Sequence, residues 1–182
     1  MQIRKGKDRI VLILPLLGTT IKFPIIHFFI AVRYFFYWKK RGYLKEYFSW
    51  PIETSGVRGF LFGGLSANWN EFLFYWKTRN PFLQPTYFSF FGLLNIQRYG
   101  EPCQLQAVDL WCQLYELTSG KVFDDSHHFA NPRNFCFCNR KLRMLDYGSG
   151  RSHGVITQYG TKIVELFNPV YCWEEEKKKL KE

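Results

Sequence analysis

The sequence predicts an α+β chain with a hinge near Tyr99–Pro102. Short runs of β-formers recur between glycine and proline punctuation, and two stretches between them carry helix start and stop signals. A chain of 182 residues also suits one domain or two small lobes with a buried core.

The elements follow in order. Ile10–Leu14 and Thr19–Phe23 read as a hairpin turned by Pro15 to Gly18. The stretch FPIIHFFIAVRYFFYWKKRG is too continuously apolar to show one face. Lys22 and Arg33 keep it below the roughly 18 uncharged residues that span a bilayer. It reads as a helix against the core. The sharper alternative is a helix on a membrane surface, aromatics inward and Arg33, Lys39, Lys40 and Arg41 towards phosphates.

Gly56, Gly59, Gly63 and Gly64 suggest a loop holding a short strand, Val57–Phe62. A helix then starts at Asn68 as cap, with Glu71 completing a capping box and Pro81 ending it. Thr86–Phe90 and Leu93–Gln97 read as strands joined near Gly92. A second helix has Pro102 in its first turn and Gly120 past its end, burying Leu105, Val108, Cys112 and Tyr115. Phe135–Cys138 and Leu142–Leu145 alternate as a hairpin around Asn139-Arg140. A short helix His153–Tyr159, a segment Thr161–Phe167 and a charged tail follow; the tail carries the i,i+4 pairs Glu174–Lys178 and Glu175–Lys179.

Aromatics make up 20% of the chain and the formal charge is +10, so anionic partners are favoured: nucleotide phosphates, nucleic acid or acidic lipid. Among these, nucleic acid ranks last, because no motif for it is visible. The five cysteines follow no secretory signal, which points to free thiols in the cytoplasm. Alternation on one strand explains Cys136 and Cys138 without zinc, although His127 and His128 are near in sequence.

One arrangement goes beyond fold class. HHFANPRN, a hairpin, and Asp146-Tyr147-Gly148 resemble the catalytic loop and D-F-G segment of the protein-kinase-like superfamily, above all its compact bacterial, lipopolysaccharide-kinase-like members. Ile21-Lys22-Phe23 is similar to that family's A-I-K strand. The resemblance runs from about residue 8 to 150 and implies a minimal two-lobed kinase-like fold with a truncated C-terminal lobe. Residues 1–100 would form the N-lobe, with a long insertion at 24–66; residues 101–172 would form the C-lobe and 173–182 the tail. The ligand implied is Mg-ATP. Lys22 would hold the phosphates and Glu71 would orient Lys22, while Asn134 and Asp146 would hold Mg²⁺. His127 would buttress the loop. Adenine would sit near Leu93–Gln97 and Tyr99–Pro102.

The chain also departs from that pattern. Phe129 occupies the position of the catalytic base, and an aromatic ring accepts no proton. Among Asp124, Asp125 and His128, which are close in sequence, Asp125 is the best substitute, although it stands nine residues before Asn134 rather than five. No glycine-rich loop precedes Lys22, and only a short segment follows Gly148. The resemblance therefore implies either a phosphotransferase acting on a small or lipid-linked hydroxyl, such as a glycolipid, or a nucleotide-binding pseudokinase. In the cytoplasm either could be peripheral on the inner face of a membrane.

Two other readings compete. LDYGSG resembles the first motif of class I methyltransferases, which bind S-adenosylmethionine, with Asn168-Pro169 near the expected ribose ligand. That motif should open a sheet of several further strands. The third reading is a non-enzymatic basic scaffold that binds membrane or nucleic acid.

Overall fold

The computed structural model describes residues 1–52, 54 and 56–171; the charged tail and its ion pairs lie outside them. Helix and sheet are mixed, as an α+β chain requires. The chain divides into two compact units. One holds Met1–Phe72 with Thr86–Arg98; the other holds Leu73–Pro85 with the described residues from Tyr99 on.

The first unit is built on an antiparallel sheet of order β1-β2-β3-β5-β4. Its strands are β1 (Gln2–Lys5), β2 (Arg9–Leu14), β3 (Thr19–Pro24), β4 (Thr86–Phe90) and β5 (Leu94–Arg98). β2 and β3 join through a turn closed by Gly18 at φ 62°, as the Pro-to-Gly spacing predicts. β1 escaped the sequence reading because all four of its residues are exposed, so it carries no apolar alternation. Between β3 and β4 lie α1 (Phe28–Lys40), α2 (Leu44–Ser49) and α3 (Val57–Thr78), whose residues from Leu73 on belong to the other unit.

α3 corrects two expectations. The predicted strand Val57–Phe62 is its first turns, and Asn68 lies in its interior rather than at a cap. Glycine clusters usually break helices, but here one permits close packing. A methyl group at Gly64 would run into the Asp8 carbonyl and Pro24. The buried positions Gly64, Asn68 and Glu71 then share one helical face.

Gly92 is the matching site on the sheet. It sits at φ +78° in the β4–β5 turn, and an added Cβ would meet the Leu65 carbonyl. Its own carbonyl accepts from Asn68 Nδ2 at 2.9 Å. Gly92→Ala is therefore expected to cost about 2 kcal/mol, from left-handed strain and overpacking together. Urea unfolding monitored by circular dichroism measures this; a cost within about 0.5 kcal/mol of zero would contradict the packing described.

The second unit has a three-stranded antiparallel sheet of β6 (Glu101–Pro102), β7 (Phe135–Cys138) and β8 (Lys141–Met144). Asn139 and Arg140 both adopt positive φ in its two-residue hairpin turn, the geometry that suits such a loop. Its helices are α4 (Ala107–Leu117), α5 (Ser126–Phe129) and α6 (Gly150–Leu166). α6 is continuous, where the sequence suggested a short helix and a separate segment; Ser149 caps it by accepting from the Arg151 N–H.

Pro102 belongs to β6 rather than to a helix, and α4 starts five residues later. Its buried face is consequently Asp109, Leu110, Gln113 and Leu114, while the expected Val108 and Tyr115 are exposed. Burial of Gln113 hid this stripe from a hydrophobic pattern. Its amide donates to the Asn168 carbonyl and accepts the Asn168 N–H, both at 2.9 Å, so it costs little to bury. Around α4 and α6 gathers an apolar core that includes Phe82, Leu110, Leu114, Phe129, Phe135 and Ile156.

Candidate functional site

In the first unit the interior beside α3 is polar. β3 alternates so that Thr20 and Lys22 are buried, and β5 buries Asn95 and Gln97. In the register Thr20 opposes Gln97 and Lys22 opposes Asn95, so these four line one face of the sheet. An apolar set would be the ordinary choice for a covered sheet face. Polar side chains there need partners from the covering helix. α3 supplies them: Asn95 Nδ2 donates to the Asn68 carbonyl at 2.7 Å. Lys22 Nζ donates to Glu71 Oε2 at 2.8 Å.

Glu71 is fully buried, and its other oxygen accepts from Arg9 Nη1. Thus the two side chains that the sequence paired, Lys22 and Glu71, are in contact. Arg9 was missed. It opens β2 after a run of other exposed basic residues, and nothing local separates it from them. Two cations thus share one carboxylate in a nearly dry place, with Lys22 and Arg9 side chains 6% and 12% exposed. Asn95 Oδ1 is also buried without a partner among the described residues.

The second unit carries the remaining candidates. β7 begins directly after Asn134, and the hairpin register brings its far end back beside it. The Leu145 N–H donates to the Asn134 carbonyl at 2.7 Å, which leaves Asp146 one residue beyond that contact. Asn134 and Asp146 therefore stand next to one another at the open end of the hairpin, both half-buried. Asn134 Nδ2 donates to the His128 carbonyl at 2.9 Å and ties the preceding loop down. Tyr147 is buried and its hydroxyl donates to the Gln84 carbonyl at 2.7 Å, which fixes the chain just after Asp146. Glu101, Pro102, Leu105 and Phe137 help to line an open cleft of about 460 Å³ at the expected hinge segment.

Asp125, the proposed substitute base, is buried; its Oδ1 accepts from His128 Nδ1 at 2.8 Å. Its Oδ2 is buried without a hydrogen-bond partner among the described residues. His127, expected to buttress the loop, is exposed, its ring edge-on to that of His128 at 5.2 Å between centroids. Asn134 and the Asp125–His128 pair tie this loop down through their hydrogen bonds. Phe129 is fully buried, its ring 6.4 Å from that of Phe135. Among the described residues no group of three or more histidine, cysteine or acidic side chains gathers as a metal cluster.

His153 is a further half-buried group that the sequence did not single out. Its ring stacks on Phe74 at 3.6 Å, and Nε2–H donates to the Tyr147 carbonyl at 2.9 Å. Burial pushes its pKa below the ordinary histidine value, outweighing the opposite pull of the Tyr147 carbonyl and the Asp125 charge. The folded state thus binds fewer protons than the unfolded state between that lowered value and about 6.5. Its contribution is complete above about pH 6.5 and is lost as pH falls through the lowered folded value. His153→Gln should flatten this acid limb of the melting temperature; a wild-type limb retained in the variant would assign it to another group.

No family model, curated protein or solved structure matches this chain.

Proposed function

We propose that the chain is a nucleotide-binding protein of protein-kinase-like design, with Mg-ATP as its ligand. The observation that carries this reading is the buried Lys22–Glu71 ion pair. Burial of an ion pair is costly unless geometry and added hydrogen bonds offset it. A strand lysine held by a helix glutamate, with Arg9 as a second cation, is an arrangement suited to phosphate oxygens. On this reading Lys22 takes the α- and β-phosphates and Glu71 fixes its ammonium. Asn134 and Asp146, adjacent at the hairpin end, supply the oxygens for Mg²⁺.

Phe129 favours binding over turnover. Its ring is locked in the core, so the position of the catalytic base offers no proton acceptor. Asp125 is buried with Oδ1 bonded to His128, and its second oxygen would have to become accessible to serve instead. Binding without turnover is therefore the favoured form of the proposal, with phosphotransfer to a hydroxyl acceptor the more demanding one. The methyltransferase reading gains no support from the fold: α6 follows LDYGSG, and no further strand comes after it among the described residues.

Thermal unfolding with Mg-ATP, metal-free ATP or S-adenosylmethionine tests this. A ligand at a hundred times its dissociation constant stabilises by about 2.7 kcal/mol, several degrees for a domain of this size. The expected shift appears with Mg-ATP, disappears in Lys22→Met and Asp146→Ala, and persists in Asp124→Ala, an exposed acid of the same segment. A shift with S-adenosylmethionine alone would transfer the protein to the methyltransferase class. No shift with any of the three would leave a non-enzymatic scaffold.

A further inference from the structure

α1 has 13 residues and buries one of them, Ala31. The rest of its surface is dominated by large apolar groups. Phe28, Phe29 and Phe36 are 57%, 86% and 61% exposed, and Ile30, Val32, Tyr34 and Tyr37 are exposed as well. At about 100° per residue, Phe28, Phe29, Val32 and Phe36 fall within an arc of about 100°. Arg33 and Lys40 lie at the edge of that arc, and Lys39 caps its C-terminal end. The next turn adds Arg41 and α2 adds Lys45; all five cations are exposed, and Glu46 is the lone acid between Phe28 and Ser49.

This composition restricts what can cover the face. A second copy would bring five cations against five cations, which like-charge repulsion opposes. Burial into the protein's own core is already excluded by the exposures. Spanning a bilayer is excluded too: no helix among the described residues is long and apolar enough. What remains is a partner that offers an apolar layer and, beside it, a dense sheet of negative charge. A bilayer containing anionic lipid offers both at the required depth. The phenylalanines would reach the acyl boundary, while lysine and arginine stems lie along the apolar surface with their charges among the phosphates. Arg41 stacks on Tyr37 at 4.4 Å, which holds that cation at the C-terminal end of the helix.

We propose that the α1–α2 segment docks the protein onto an anionic lipid bilayer, with Phe28, Phe29 and Phe36 inserted and Arg33, Lys39, Lys40, Arg41 and Lys45 on the headgroups. The inference is independent of nucleotide binding, since none of these residues belongs to the Lys22–Glu71 cluster.

Flotation with phosphatidylcholine vesicles and with mixed phosphatidylcholine–phosphatidylglycerol vesicles tests it. The full chain is expected to float with the mixed vesicles and not with the neutral ones, and to be released by high salt. Lys39→Glu with Lys40→Glu should weaken binding by at least about 30-fold, since each surface cation contributes roughly a fivefold gain. Phe29→Asp with Phe36→Asp should abolish it. Both pairs are exposed, so the variants should melt at the wild-type temperature. The matched control, Lys141→Glu with Lys162→Glu, removes the same charge from exposed positions of the second unit and should bind like wild type. Equal loss in that control would reduce the effect to net charge and overturn the proposal. So would failure to float with the mixed vesicles, equal binding to neutral ones, or a dimer that Phe29→Asp dissociates.

Discussion

Replacing Glu71 with alanine is expected to cost about 3–5 kcal/mol, the usual penalty for removing one partner of a buried ion pair. The reason is asymmetry. Lys22 and Arg9 both point their charge at one fully buried carboxylate, so its loss takes a shared counter-ion from two cations in a site with little water. Lys22→Met should be milder, because Glu71 retains Arg9 as counter-ion. The double variant Lys22→Met with Glu71→Met should cost less than Glu71→Ala alone, since it removes the pair together. Denaturant unfolding of the four proteins reads this coupling directly. Additive costs would mean that the two side chains do not share an environment, and the phosphate role of Lys22 would lose its physical basis.

Phe129→Asp is the second large effect. In a kinase-like loop this substitution would write the missing base back into the sequence, and on sequence grounds a gain of phosphotransfer would be expected. The packing predicts the opposite. Phe129 is inaccessible, and its ring neighbour Phe135 lies 6.1 Å from Phe82 in the same core. Deleting a buried phenylalanine ring typically costs about 3–5 kcal/mol. An unpaired carboxylate in its place adds a desolvation cost of several kcal/mol. Against a total stability of about 5–15 kcal/mol this is enough to unfold the second unit. Amide exchange should show α4, α6 and the β7–β8 hairpin losing protection, while Phe129→Leu keeps it. A folded Phe129→Asp variant that turns over ATP would show instead that the loop can re-form around a base.

Both outcomes bear on how far the sequence could be read. Its local chemistry was legible. β2, β3, β4, β5 and the β7–β8 hairpin lie within a residue or so of their expected bounds, because alternation and turn residues act over a few positions. The pairing of Lys22 with Glu71 was also anticipated, though only through a family resemblance. Capping explained Glu71 equally well on local grounds, and the structure replaces that role with a buried ion pair in mid-helix.

What the sequence by itself determined, then, is the strands β2 to β5 and the β7–β8 hairpin, the tight Asn139-Arg140 turn and the order of the polar candidates along the chain. Tertiary structure alone decided which of them are buried and with whom. Gly64 reads as a helix breaker until a carbonyl is seen against it. Asn68 reads as a cap until the Gly92 carbonyl and Asn95 are seen to use it. Arg9 looks like its exposed neighbours until β2 sets its side chain against Glu71. Phe129 looks like a defect in a catalytic loop until it is found in the core. The physical reason is common to all four. Turns and alternation are written in adjacent residues, whereas the burial of a charge, an amide or a ring depends on partners tens of residues away.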